Sequence, residues 1–274
     1  MKPDNVSANN PIGIFDSGIG GLTVASAIHT LMPNETLIYF GDTAHLPYGE
    51  KSAAAIKSYS LHIADLLLKH KCKMIVIACN TASAIAWQTV REHVAGSVEV
   101  INVIDPVVED VCSLNLKHIG VIGTNNTVKT DIYAKKIMAR NKSLQVSSLA
   151  TPLLAPMIEE GFFNNKISKT IIHDYLSRAK LKNIKALILA CTHYPLIKPE
   201  IESYYKSKVH IIDSAMIVAA FVKERLKAQK LLNSGKVRKH HFYVSDYTQS
   251  FEQSTRYFFK GRIKLEEMNI WKSF

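Results

Sequence analysis

The sequence predicts an α/β protein of two similar, pseudo-symmetric domains with mainly parallel sheets and an active site in the interdomain cleft. Three observations carry this expectation. Short apolar or β-branched runs alternate with helix-length segments, the pattern of parallel sheets covered on both faces. The run Met74-Ile-Val-Ile-Ala-Cys79-Asn-Thr81 is answered by Ala186-Leu-Ile-Leu-Ala-Cys191-Thr-His193, with the cysteines 112 residues apart. A second pair, Ile12-Gly-Ile-Phe-Asp-Ser17 and Ile119-Gly-Val-Ile-Gly-Thr124, repeats at 107 residues, so two halves built on one plan account for both echoes.

In chain order, the apolar runs predict strands at 12–15, 36–40, 73–79, 99–103, 118–122, 144–149, 185–190 and 208–212. Between them, residues 52–69 and 81–95 repeat apolar side chains at steps of three and four, the spacing of one helix face. At Asp105-Pro106 the residue before proline is pushed out of helix geometry, so the chain is expected to cross to the second half there and to return near Asp213. This divides it into a first domain of 11–104 plus 213–274, a second of 105–212, and a flexible N-terminus of 1–10. A helical run at 214–230, a polar turn around Asn233-Ser-Gly235, a strand at 241–245 and a final helix are too little for a third domain and should pack back on the first. Open parallel sheets bind ligands at the carboxyl ends of their strands, and two facing halves bring both sets of ends into one cleft.

The bulk properties fit such a fold. A chain of 274 residues, 47% hydrophobic and 21% charged, is an ordinary globular protein and not a disordered one. Its polar first ten residues and the lack of any stretch near the roughly 20 apolar residues of a membrane span predict a cytoplasmic protein without membrane association. Cys72, Cys79, Cys112 and Cys191 are too few and too scattered for a disulfide framework and are expected as thiols. The net charge of +11 is dispersed. Its short basic groups, Lys69-His70-Lys71 and Lys236-Val237-Arg238-Lys239-His240-His241, lack interleaved aromatic residues, which predicts a solvated basic face and no main function in nucleic-acid binding. No C-x-x-C pair or H-E-x-x-H helix occurs and His240 and His241 are adjacent, so no metal site is expected.

The chemistry centres on the repeated cysteines. Cys79 and Cys191 each close a strand just before a polar residue, where backbone N–H groups and a helix dipole favour thiolate. An isolated buried cysteine is usually a small hydrophobe, and Cys72 and Cys112 are read that way, but matching contexts make Cys79 and Cys191 candidate acid/base groups. Asp16-Ser17-Gly18-Ile-Gly20-Gly21 follows the first strand with glycines that allow a tight turn and close approach to an anion. Its spacing is not that of a dinucleotide loop, which leaves Asp16 to orient an amine or tune a thiol. The polar loop Gly41-Asp-Thr-Ala-His-Leu-Pro47-Tyr48-Gly49 can hold a small polar ligand, and His193, directly after Cys191 and Thr192, can stabilise a thiolate or relay a proton.

Together, Phe15-Asp-Ser-Gly-Ile-Gly-Gly-Leu-Thr-Val24, Gly41-Asp-Thr-Ala44 with Pro47-Tyr-Gly49, Ile77-Ala-Cys-Asn-Thr-Ala-Ser83 and Leu189-Ala-Cys-Thr-His-Tyr-Pro195 resemble the glutamate racemase family, from about residue 11 to the last strand. The resemblance implies two similar α/β domains, interconversion of L- and D-glutamate without pyridoxal phosphate or metal, and D-glutamate supplied for peptidoglycan synthesis. It implies Cys79 and Cys191 as the two bases on opposite faces of the substrate Cα, supported by Asp16, His193 and Glu159. Substrate contacts are expected from Asp16, Ser17, Pro47, Tyr48, Gly49, Asn80, Thr81, Thr124, Thr127, Thr192 and His193. Thr151 departs from relatives that often carry cysteine there, and a homodimer is left open. Rival readings are an aspartate racemase or decarboxylase of the same superfamily and a two-domain solute-binding protein, against which the paired strand-end cysteines argue.

Overall fold

The structure is a computed structural model that describes residues 6–235 and 237–271. Its strands are β1 Ile12–Asp16, β2 Leu37–Gly41, β3 Met74–Ile77, β4 Glu99–Asn102 and β5 His118–Gly123. The remaining strands are β6 Gln145–Ala150, β7 Ala186–Ala190, β8 His210–Ile212, β9 His241–Val244 and β10 Leu265–Glu267. They form a six-stranded sheet in the order β10-β9-β2-β1-β3-β4 and a four-stranded sheet in the order β6-β5-β7-β8. All pairings are parallel. The run β2-β1-β3-β4 of the first sheet and the whole of the second, β6-β5-β7-β8, share one order, so the internal echo in the sequence is an echo in topology.

Alternation along the strands explains how each sheet is covered twice. In β3, Met74 and Val76 join the core between the two sheets, whereas Ile75 and Ile77 join the core on the outer face. The central core contains the buried faces of the helices Leu22–Leu31 and Ser214–Ala228. The outer core of the first sheet is filled from the helix Ala53–Lys69, and that of the second from the helices Ile104–Ser113 and Ile132–Arg140. Ser52 and Asp213 cap their helices with side-chain oxygens on Ala55 N (3.2 Å) and Ala215 N (2.9 Å), which fixes both starts.

Three local features differ from the sequence expectation. The helix expected over 81–95 is two, Asn80–Ile85 and Trp87–His93, broken at Ala86, whose backbone is stretched to φ −110°, next to Trp87, whose Nε1 reaches the carbonyl of Val100 at 3.0 Å. Asp105-Pro106 does not interrupt a helix. It lies in the first turn of Ile104–Ser113, where proline has no required N–H to lose, and Asn102 Oδ1 accepts from the N–H groups of Ile104 (2.9 Å) and Asp105 (2.8 Å). The last helix, Gln249–Phe258, is followed by the short strand β10. Of the N-terminus expected to be flexible, residues 1–5 lie outside the described residues, and 7–10 form a turn in which Asn10 N donates to Ser7 O at 3.1 Å. Lys73 Nζ anchors that turn through Ala8 O (2.6 Å) and pairs in the interior with Glu35 at 2.5 Å. Lys236 of the basic group lies outside the described residues.

Candidate active site

The carboxyl ends of β1, β2 and β3 face those of β5 and β7 across a cavity of about 250 Å³. From the first sheet, Ser17, the loop residues Leu46, Pro47, Tyr48 and Gly49, and Cys79, Asn80 and Thr81 line it. From the second come Thr124, Ala155, Pro156, Glu159, Ala190, Cys191, Thr192 and His193. Both cysteines are thus on the cavity wall, each one or two residues past its strand. Cys72 is buried against Leu67 and Gly13 and Cys112 lies under the helix Ile132–Arg140, away from the site.

The two thiols have unlike surroundings. Cys79 Sγ lies 3.6 Å from Ser17 Oγ and accepts from Ala82 N at 3.4 Å, while burial and then the charge of Asp16 push its pKa up to about 12. Cys191 Sγ lies 3.6 Å from His193 Nδ1. On the other side of the ring, Glu159 Oε1 is 2.9 Å from Nε2, an ion-pair contact at an angle poor for a hydrogen bond. Burial opposes charge on the imidazole, but Cys191 and Glu159 outweigh it and hold the pKa of His193 well above its ordinary value. One sulfur is therefore held towards the thiol, and the other sits beside an imidazole held towards its charged form.

Some expected contact residues stand behind the wall and not on it. Asp16 is fully buried, its Oδ2 accepting from Gly18 N (3.2 Å) and Gly21 N (3.0 Å), and burial raises its pKa against the pull of His193. Thr127 is likewise buried, bonded to Thr81 (3.2 Å) and Thr124 (3.0 Å), which themselves meet at 2.8 Å across the two halves. Tyr48 also lines the cavity, but its hydroxyl is taken up by a bond donated to Asp42 at 2.7 Å. Asn80 Oδ1 accepts from Tyr133 at 2.7 Å and leaves a buried Nδ2 with no protein partner. The lining carries hydroxyls, an amide and His193 but no lysine or arginine, so the chain's +11 charge is not focused here.

Sequence reasoning missed the apolar wall of Leu46, Ala155 and Pro156 and the supporting groups Asp42, Tyr133 and Tyr39, whose hydroxyl donates to Gly18 O at 2.7 Å. Asp42 stood in a loop already marked as polar, but nothing local says that its carboxylate gathers donors from distant segments. Thr151 Oγ1 lies 2.7 Å from the Tyr194 hydroxyl, so Thr151 braces the residue after His193. Among the described residues there is no group of three His, Cys, Asp or Glu side chains arranged to hold a metal, and no helix is long and apolar enough to cross a membrane.

Gly20 makes the geometry testable. A Cβ there would lie 2.4 Å from His193 Cε1 and 2.6 Å from both His193 Nδ1 and Thr192 Oγ1. Gly20→Ala is expected to displace His193 and lower kcat/KM by about a hundredfold, the scale of an ångström-sized misplacement. Gly18→Ala, whose Cβ meets only Leu46 Cδ2 at 3.6 Å, should stay within a few-fold of wild type. Equal activities for the two variants in a steady-state assay would contradict the close packing.

The Asp/Glu/Hydantoin racemase family matches residues 22–222. The chain is 43% identical over 260 residues to the glutamate racemase of Chlorobaculum parvum, covering 94% of this chain and 95% of that one. To the glutamate racemase of Neisseria meningitidis it is 40% identical over 250 residues, covering 90% and 92%. The fold superposes with a TM-score of 0.90 on the crystal structure of glutamate racemase from Francisella tularensis in complex with D-glutamate, at 39% identity and covering 97% and 99% of the two chains.

Proposed function

The chain belongs to the Asp/Glu/Hydantoin racemase family, among its glutamate racemases, and from that premise we propose that it interconverts L- and D-glutamate by proton transfer at Cα between Cys79 and Cys191. The observation that carries the reading is the pair of strand-end cysteines on one cavity, in unlike electrostatic surroundings. With L-glutamate bound, the Cys191 thiolate, paired with the His193 imidazolium, removes the Cα proton. The Cys79 thiol delivers its proton to the other face and is left as thiolate. D-glutamate runs the same steps backwards, with Cys79 as base and Cys191 as acid.

The neutral donors Ser17, Asn80, Thr81, Thr124 and Thr192 hold the two substrate carboxylates and stabilise charge that develops next to Cα. Pro47, Tyr48 and Gly49 complete the wall, Gly49 lying against Thr124. Asp16 and Thr127 act through their neighbours, Asp16 by keeping Cys79 protonated and Thr127 by fixing Thr81 and Thr124. Pyridoxal phosphate and metal are not needed, because the two sulfurs supply both the base and the acid. The reading extends to a cytoplasmic enzyme of two domains, 11–104 with 213–274 and 105–212, that supplies D-glutamate for peptidoglycan and cell-wall synthesis.

The test is incubation of protein dialysed against chelator with each enantiomer of glutamate and of aspartate in deuterated water. Deuterium should enter Cα of glutamate as it racemises, with kcat/KM at least about tenfold above that for aspartate, the low end of what one methylene is worth in a pocket. Equal or reversed values would overturn glutamate as the substrate and leave the two-thiol chemistry standing, whereas binding without exchange would reduce the protein to a solute binder.

A further inference from the structure

Asp42, one residue past β2, is completely buried, and its carboxylate collects donors from three separate parts of the chain. Tyr48 Oη donates at 2.7 Å and His45 Nδ1 lies 3.0 Å from both oxygens, each from the loop that walls the cavity. Ser245 Oγ donates at 2.8 Å from the end of β9. Trp271 Nε1 donates at 3.0 Å from the segment after β10. That segment is held in register by Met268 N on Val244 O (2.8 Å) and by Trp271 N on Asn269 Oδ1 (3.0 Å).

The indole of Trp271 also closes an aromatic stack over the same loop. His45 lies on Tyr59 with ring centroids 4.0 Å apart, and Trp271 stands edge-on to His45 at 4.7 Å and to Tyr59 at 5.4 Å. Its residues 43–49 are two short turns, tied besides by Ala44 N on Ser245 Oγ (2.9 Å), by Thr43 Oγ1, which donates to Asp246 O (2.5 Å) and accepts from Asp246 N (2.9 Å), by Asn126 Nδ2 on Tyr48 O (2.9 Å), and by the Tyr48 ring, buried in the outer core beside Tyr59.

We propose that Trp271 is a positioning residue for the cavity wall: through Asp42 it fixes Tyr48 and the adjoining Pro47 and Gly49 against the substrate, so the segment 268–271 is a latch on the active-site loop. The effect on catalysis rests on the reading of the cavity as a racemase site. A carboxylate without solvent must keep its donors, and losing one reorients the rest of the set, which here includes the hydroxyl of a wall residue. Substrate binding, more than proton transfer, is what a displaced wall would change.

The experiment compares wild type with Trp271→Phe, which keeps a ring but lacks the N–H, and Trp271→Ala, which lacks both. Trp271→Phe should raise KM for glutamate about tenfold with kcat within about threefold, the size of one hydrogen bond to a buried charge. Trp271→Ala should raise it further. Tyr48→Phe removes the other end of the relay, so its effect on KM and that of Trp271→Phe should fall well short of multiplying in the double variant. Hydrogen–deuterium exchange of the Ala44 and His45 amides gives a readout without substrate and should quicken at least about tenfold in Trp271→Ala, with the amides of β1 and β3 unchanged. A lowered melting temperature with unchanged KM and unchanged loop exchange would make Trp271 merely structural and overturn the proposal, as would fully multiplicative effects with Tyr48→Phe. If the wild type failed to racemise glutamate, the functional reading would fall, while the exchange measurement would still decide whether the latch exists.

Discussion

Cys79→Ser and Cys191→Ser should each lower racemisation by about a thousandfold or more, towards the upper end of what a positioned acid or base contributes. Serine keeps the size and most hydrogen bonds of cysteine, so loss of fold is not expected to explain the result. The variants should differ in what they retain. Cys79→Ser keeps Cys191 next to His193 and should exchange the Cα hydrogen of L-glutamate with deuterated solvent while returning it to the same face. Cys191→Ser should do so, more weakly, with D-glutamate. Alkylation gives an independent view, because a thiol pushed up to about 12 from its ordinary 9.0 has about a thousandfold less thiolate at neutral pH. Cys79 in the free protein should therefore react with iodoacetamide far more slowly than a model thiol. Near-normal racemisation by either serine variant, measured by circular dichroism of the substrate, would end the two-sulfur mechanism.

His193→Asn should lower kcat by about a hundredfold or more, since the ring is the cation beside Cys191. Glu159→Gln should cost about tenfold, because Glu159 touches the imidazole and is itself partly exposed. The stability linked to His193 also has a definite sign. Its folded pKa lies well above the unfolded value of 6.5, so the stabilising charge is fully present below 6.5 and is lost as pH rises through the folded value. The stability gap between wild type and His193→Asn in urea melts should accordingly be widest in mildly acidic to neutral solution and narrow on the alkaline side. A gap that widened with pH would mean that the ring is buried neutral and that Cys191 lacks its counter-charge.

The strands were legible because buried parallel strands write themselves as short apolar runs, and the pairing of Cys79 with Cys191 because both end such runs. β10 was not legible: Leu265-Glu266-Glu267 offers one apolar residue and joins the sheet through backbone bonds beside β9. Proline at position 106 misled because its penalty applies inside a helix and to the residue before it, whereas here a side-chain cap from Asn102 starts the helix around it. Within the site, residues adjacent to the cysteines could be found from the motifs. Whether Asp16 and Thr127 face the cavity or stand behind it depends on side-chain directions set by contacts between distant segments, such as Thr81 of one half meeting Thr124 of the other, or Thr23 Oγ1 reaching Thr192 O at 3.1 Å. The gathering of Tyr48, Ser245 and Trp271 on Asp42 is of the same kind.

The shared order β2-β1-β3-β4 and β6-β5-β7-β8 puts unlike residues at matching places: Asp16 against Gly123, and Asn80-Thr81 against Thr192-His193. Mirror-image substrates have equal free energies in water, so a racemase with an equilibrium constant of one must have equal kcat/KM for both. No substitution can break that equality, whichever half carries it. What the mismatched residues can do is divide each specificity constant differently between turnover and saturation, so that one enantiomer is held more tightly and released more slowly than the other.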